Sequence, residues 1–294
     1  MTIPGERSRT PIVWRLVSFV KLEHTLFALP FAYVGALLAY RSSEELPSWG
    51  ELLWITLAMV GARSLAMGIN RAVDREIDAR NPRTAGRELP SGRLSLWQVA
   101  VFCLAALVLL VLAAFQLAPI VRWLWPVPVV AFVVYPYLKR ATWLCHFWLG
   151  LTIGLAPFGA WLAVGRSLTL APFALWIGVA CWIAGFDLLY GLFDLEVDRA
   201  QRLHSFATRY GVPATFWAAR ILHLVTVAAL AAAGIVGRAG FVWGLGVVAA
   251  AALLLYEHLI VSPGDLHRLD AAFFTANGVI AIVFLAFAVV DGLV

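Results

Sequence analysis

Nine stretches of about 20 mostly apolar residues recur along this chain, roughly at 16–40, 50–70, 96–118, 121–138, 142–164, 171–191, 213–237, 240–261 and 269–291. An α-helix rises 1.5 Å per residue, so each stretch suffices to cross a hydrocarbon core about 30 Å thick. The chain is 62% hydrophobic and 13% charged over 294 residues, against about half and a quarter in a soluble domain. One water-soluble core cannot absorb that surface, so the lipid bilayer is the expected solvent. The runs show no period-2 alternation, and an open sheet in lipid would leave backbone groups unpaired. The expected fold class is therefore an all-α membrane protein with nine transmembrane helices. Lys21, Glu23 and His24 interrupt the first run, and only YPYLKRATW divides the fourth from the fifth. The first run is read as a retained span, not a cleaved signal. Cys103, Cys145 and Cys181 fall inside runs without paired spacing and read as small apolar residues.

Basic residues set an orientation. Arg7, Arg9 and Arg15 precede the first run, and six arginines from Arg71 to Arg93 follow the second. Lys139 and Arg140 follow the fourth, Arg199, Arg202 and Arg209 the sixth, and Arg268 the eighth. The opposite loops hold one each: Arg41, Arg122, Arg166 and Arg238. The positive-inside rule places the N-terminus and the loops after even-numbered spans in the cytoplasm, as expected for a multi-pass protein of the cell's inner membrane. This asymmetry accounts for the net charge of +5 and calls for no nucleic-acid partner. Nothing implies an obligate protein partner.

Topology does not need carboxylates, yet NRAVDREIDARNPRTAGRELPSGR holds four acids among its arginines. Asn70, Asp74 and Asp78 stand at i, i+4 and i+8, on one face if the second helix runs on. Like charges at that spacing repel, so a divalent cation or neighbouring arginines must compensate. The device returns as YGLFDLEVD after the sixth run, where Asp194 and Asp198 repeat the spacing. Four spans separate the copies, which puts both at one membrane face and suggests two four-helix pseudo-repeats plus one helix. Four aspartates at one mouth form a hard-oxygen site suited to Mg2+, which takes one or two carboxylates together with substrate phosphates. Arginines of the same loops, Arg71 and Arg75 among them, would complement phosphate oxygens. The inferred ligand is a Mg2+-bound diphosphate with a lipid-soluble remainder, such as an isoprenoid diphosphate.

The pair NxxxDxxxD and YxxxDxxxD resembles the UbiA superfamily of intramembrane aromatic prenyltransferases, and the resemblance covers nearly the whole chain. NPRTAGRELPSG, KLEHTLFALPFA and YPYLKR are similar to its bacterial quinone-pathway branch. That resemblance implies nine helices around a central cavity, in a single domain over 1–294, with cap loops 71–95 and 192–212 carrying the motifs. It implies Mg2+, a polyprenyl diphosphate donor and an aromatic acid acceptor. Asn70, Asp74, Asp78, Asp194 and Asp198 match its metal motifs, Tyr190 the tyrosine before the second, and Tyr135 and Lys139 the YxxxK element that meets the diphosphate. The acceptor is read as of the 4-hydroxybenzoate type, with a dihydroxynaphthoate as the alternative.

Other polar residues lie deeper. Arg63 stands seven residues before Asn70 and Asp187 seven before Asp194, at depths where ionisable groups usually face a cavity. Arg63 is read either as the grip for the acceptor carboxylate or as a partner for Asp187, and Asp187 also as a candidate general base. Glu76 and Glu196 should face away from the metal, toward loop arginines. Pro82 and Pro90 break the loop into a cap that brings Arg83 and Arg87 over the diphosphate. Lys21, Glu23 and His24 are assigned a structural or cavity-lining role, and Asn277 an interhelical hydrogen bond. A repeat-built transporter is the competing class, but its charges should cluster near the membrane midplane, whereas these acids concentrate at one end. The DG…AR…G…D…D pattern of a CDP-alcohol phosphotransferase is not found at either motif.

Overall fold

The computed structural model describes residues 11, 15–16, 18–19, 25–41, 45–262 and 277–294. Lys21, Glu23, His24, His267 and Arg268 lie outside them. The described elements are helices: α1 Thr25–Tyr40, α2 Trp49–Val73, α3 Arg75–Arg80, α4 Leu96–Gln116, α5 Val121–Leu124, α6 Pro126–Ala141, α7 Cys145–Ala163, α8 Ala171–Tyr190, α9 Leu195–Ala200, α10 Phe206–Val236, α11 Phe241–Ile260 and α12 Asn277–Leu293, with a 3₁₀ turn Gly191–Asp194 before α9. The described parts of the nine apolar runs are predominantly helical. Among the described residues, seven helical segments are long and apolar enough to cross a membrane, and Ala28–Tyr40 and Asn277–Leu293 are shorter apolar helices. Seven candidate spans thus stand among the described residues against the nine expected, and parts of the first and last runs, 16–40 and 269–291, lie outside those residues.

Helix starts follow local chemistry. The Ser48 hydroxyl accepts from Glu51 N while the Glu51 carboxylate accepts from Ser48 N, and Ser95 with Gln98 does the same for α4. Ser205 and Thr208 cap α10, which bends at Gly211 (φ 81°, ψ 171°), a conformation that suits a residue without a Cβ. The tightest crossings use small residues: a Cβ at Gly35 would collide with the Pro157 carbonyl oxygen, bringing α1 onto α7. The core gathers Phe31, Trp182, Phe284 and Trp243, with Trp182 5.0 Å from Phe31 and Trp243 5.0 Å from Phe284 between ring centres. The Trp182 indole N–H donates to Asn277 Oδ1 at 2.6 Å, the interhelical bond expected of that asparagine.

Neither motif lies on an unbroken helix. α2 ends at Asp74 (φ −90°, ψ 5°), and the helix through α8 and its 3₁₀ turn ends at Asp194 (φ −101°, ψ 3°). Both sit in the sparsely populated bridge region, common for active-site residues. A six-residue helix follows each, α3 and α9. The expected straight face is thus an elbow, made twice in the same way. Backbone bonds still run through the first: Asp74 N to Asn70 O at 2.9 Å and Asp78 N to Asp74 O at 2.8 Å.

Candidate active site

A cavity of about 460 Å³ opens between α1, α2, α4, α6, α7 and α8. Along α2 its lining runs from Asn70 to Ile55, which is roughly 22 Å of helix. Ala58, Met59, Leu117, Trp125 and Phe158 make its deep walls apolar. Its polar groups include Arg63, Asn70, Arg71, Arg87, Tyr135, Asp187 and Tyr190.

Around the mouth the two motifs meet through cations. Lys139 Nζ lies 2.5 Å from Asp74 Oδ2, and Arg140 lies 3.2 Å from Asp74 Oδ1. Asn70 Nδ2 donates to Asp74 at 3.2 Å. Arg87 donates to both Asp78 oxygens, at 3.0 and 2.9 Å. Arg83, from the first loop, grips both carboxylate oxygens of Asp194 in the second and donates to the Tyr190 hydroxyl at 2.9 Å. Asn81 donates to the same Asp194 carboxylate at 2.8 Å. Asp198 feels the charges of Asp194, Lys139 and His146. Backbone bonds reinforce the closure: His204 N donates to Lys139 O at 2.7 Å.

Four carboxylates cannot gather uncompensated, and here the compensation comes from arginines and lysine. Among the described residues, no three acidic, histidine or cysteine groups stand close enough together to hold a metal ion. In place of the single four-aspartate cradle expected from the spacing, Asp74, Asp78 and Asp194 are each tied to a cation, while Asp198 joins no ion pair among the described residues. The donor chemistry still fits Mg2+, which takes few carboxylates and completes its shell with phosphate oxygens and water. Burial raises the Asp74 carboxyl pKa more than Lys139 and Arg140 lower it. Burial opposes the charge of Arg83, but its bonds to Asp194 and Tyr190 outweigh that and raise its pKa.

The remaining residues of interest divide. Tyr135 lines the cavity within electrostatic reach of Arg63, Asp74 and Asp187. Arg63 lines it too, and its Nε is buried without a hydrogen-bond partner. Asp187 does not take Arg63 as partner; its Oδ2 stands 2.7 Å from His146 Nδ1. Sequence reasoning missed His146, although an acid within a span calls for some partner. Arg71 borders the cavity, but it pairs with buried Glu88 at 3.0 Å and lies 5.1 Å from the Phe19 ring centre. Glu88 also accepts from Ser18 at 2.7 Å. Arg75 is exposed beside Glu76 at 3.7 Å and is not among the residues lining the cavity. Glu76 and Glu196 face solvent, each with an arginine of its own short helix, Arg75 and Arg199.

Known proteins share the sequence pattern and the fold. The model of the UbiA prenyltransferase family matches residues 28–286. A 4-hydroxybenzoate octaprenyltransferase of Aliivibrio fischeri strain MJ11 is 26% identical, over 95% of this chain and 96% of its own. One of Vibrio vulnificus strain CMCP6 is 30% identical, over 74% and 77%. Among solved structures, the apo form of a UbiA homolog from Aeropyrum pernix K1 superposes with a TM-score of 0.82 at 28% identity, covering 92% of this chain and 98% of that one. A UbiA homolog from Archaeoglobus fulgidus bound to DMAPP and Mg2+ shares the fold, with a TM-score of 0.76 at 17% identity over 95% and 99% of the two chains.

Proposed function

The chain belongs to the UbiA prenyltransferase family, and from that premise we propose that it transfers a polyprenyl group from polyprenyl diphosphate to a ring carbon of an aromatic acid of the 4-hydroxybenzoate type, with Mg2+, in quinone biosynthesis. The observation that carries this reading is the meeting of both aspartate motifs, through Arg83 and Lys139, over one apolar cavity. The relatives named 4-hydroxybenzoate octaprenyltransferase support the acceptor class.

Asn70, Asp74, Asp78, Asp194 and Asp198 would hold Mg2+. When bound, Mg2+ supplies Lewis-acid neutralisation of the departing diphosphate. Lys139, Arg83, Arg87 and Arg140 exchange their carboxylate partners for diphosphate oxygens, with Tyr190 and Tyr135 at the boundary with the cavity. The allylic C–O bond breaks and its electron pair stays on the diphosphate. Fixed positive charge aimed at that developing anion lowers the barrier. The apolar walls keep water from the allylic cation, and Tyr135, Phe158 and Phe186, all on the lining, offer ring faces to it. Arg63 holds the acceptor carboxylate. The ring carbon beside the acceptor hydroxyl forms the new C–C bond, and its proton passes to the Asp187 carboxylate, which His146 orients.

The whole chain acts as one domain in a cell's inner membrane, mouth toward the cytoplasm, without an obligate protein partner. The test is reconstitution with an allylic polyprenyl diphosphate, 4-hydroxybenzoate or a dihydroxynaphthoate, and Mg2+. Prenylated product and diphosphate should appear together, vanish with EDTA, and be lost in Asp74→Ala and in Asp194→Ala. Undiminished product in those variants would reject the assignment, and preference for the naphthoate would move the acceptor to the alternative route.

A further inference from the structure

A second concavity lies on the same end of the bundle as the aspartate motifs but outside the cavity. It is lined by Arg199, Arg202, Leu203, His204, Thr208 and Arg209. No carboxylate lines it. Arg199 pairs with exposed Glu196 at 3.0 Å, while Arg202 and Arg209 join no ion pair among the described residues. Two guanidiniums and an imidazole, all exposed, thus share one depression without an acidic partner. Orientation in the membrane needs basic residues in this loop, but not their convergence on one hollow.

The surroundings fix the level at which this hollow sits. The Arg209 guanidinium lies 5.4 Å from the Tyr210 ring centre and 6.0 Å from that of Trp143. Trp143 meets Tyr210, Phe206 and Phe147 edge-on, at 5.2, 5.6 and 6.0 Å. Gly211 breaks the helix after Tyr210, so the turn Phe206–Tyr210 is set off from the span that follows. Leu144 follows Trp143 in the chain, Trp217 lies on α10 beyond Gly211, and both are exposed, as is Tyr210. Amphipathic rings of this kind gather at headgroup depth, which sets the neighbouring arginines at the height of lipid phosphates.

We propose that Arg199, Arg202, His204 and Arg209 bind the phosphate of an anionic phospholipid, such as phosphatidylglycerol, from the leaflet on the side of the aspartate motifs. Guanidinium groups match phosphate oxygens in pairs, the acyl chains run down past Leu144 and Trp217, and the aromatic cluster braces Arg209. The proposal stands apart from the catalytic reading and needs only the membrane placement.

The purified chain in neutral detergent would be titrated with short-chain phosphatidylglycerol, short-chain phosphatidylcholine and inorganic phosphate. Bound lipid would be read by native mass spectrometry and the unfolding midpoint by thermal shift. Phosphatidylglycerol should bind and raise the midpoint, and phosphatidylcholine should not. Arg202→Gln/Arg209→Gln should weaken that binding about tenfold or more, with single Arg202→Gln intermediate. Arg122→Gln, at the other end of the bundle, should leave it unchanged. Equal binding of both lipids, or wild-type binding by the double variant, would overturn the proposal. So would an equal shift from inorganic phosphate at the same concentration, which would make this a site for free phosphate.

Discussion

Lys139 reaches across from α6 to Asp74 at the end of α2 and stands 2.5 Å from its carboxylate. One ammonium thus ties the first motif to α6, whose Lys139 carbonyl in turn accepts from the His204 N–H in the loop after the second motif. Lys139→Met removes fixed positive charge where the leaving group departs. The expected result is a fall in kcat of about 100-fold or more, with partial recovery in Lys139→Arg, measured as diphosphate release at saturating substrates. A fall confined to KM would place Lys139 in ground-state binding alone.

Asp74 carries a pH signature. Burial raises its pKa above the ordinary carboxylate value, despite Lys139 and Arg140. A proton and Mg2+ then compete for one carboxylate. As pH falls through the raised pKa the metal should bind more weakly, and at higher pH binding should release less than one proton per ion. For the chain alone the sign is opposite: a raised carboxyl pKa means the folded state holds the proton more tightly, so this group's contribution to stability declines as pH rises. Calorimetric titration of Mg2+ in two buffers of different ionisation enthalpy checks the first, and Asp74→Asn should flatten the dependence.

Arg63 and His146 should separate kinetically. Arg63 lines the cavity with an unpartnered Nε, so Arg63→Met is expected to raise the acceptor KM about 10–100-fold, leaving the donor KM near wild type. His146 acts through Asp187. His146→Ala is expected to lower kcat and shift its pH profile, while both KM values stay within a few-fold. A pH profile identical to wild type would reduce His146 to packing.

The Arg71–Glu88 pair is a stability element. Both side chains are nearly inaccessible, at 3% and 8%. Removing one partner leaves the other charged and buried, a loss of about 3–5 kcal/mol. Glu88→Ala should therefore lower the unfolding midpoint strongly, and Arg71→Met/Glu88→Leu should recover much of the loss. Thermal unfolding in detergent measures both.

What was legible in the sequence follows from which forces are local. Hydropathy over 20 residues reports solvent, so the described parts of the apolar runs are predominantly helical. The pairing of Asp74 with Asp194 at one mouth was readable because an even number of spans separates them. The elbows were not: nothing in AVDREI or LFDLEV disfavours a continuing helix, and the break is set by contacts between loops. Arg75 shared spacing and sign with its neighbours, yet it stands beside Glu76 in solvent. Glu88 and His146 stayed hidden for the same reason, since each has a partner far off in sequence and no local pattern announces it.

The twin elbows also govern where ionic and greasy matter part company. Asp74 sits one residue past α2 and Asp194 closes the 3₁₀ turn that follows α8, so charge gathers where each apolar helix ends and the greasy lining begins directly beneath. A molecule with a highly charged head and a long hydrocarbon tail can satisfy both media at once only at such a border. For the polyprenyl diphosphate proposed above, the bond to be broken is that joint of head and tail, and such a border would set it where the protein's cations and its dry interior are both within reach.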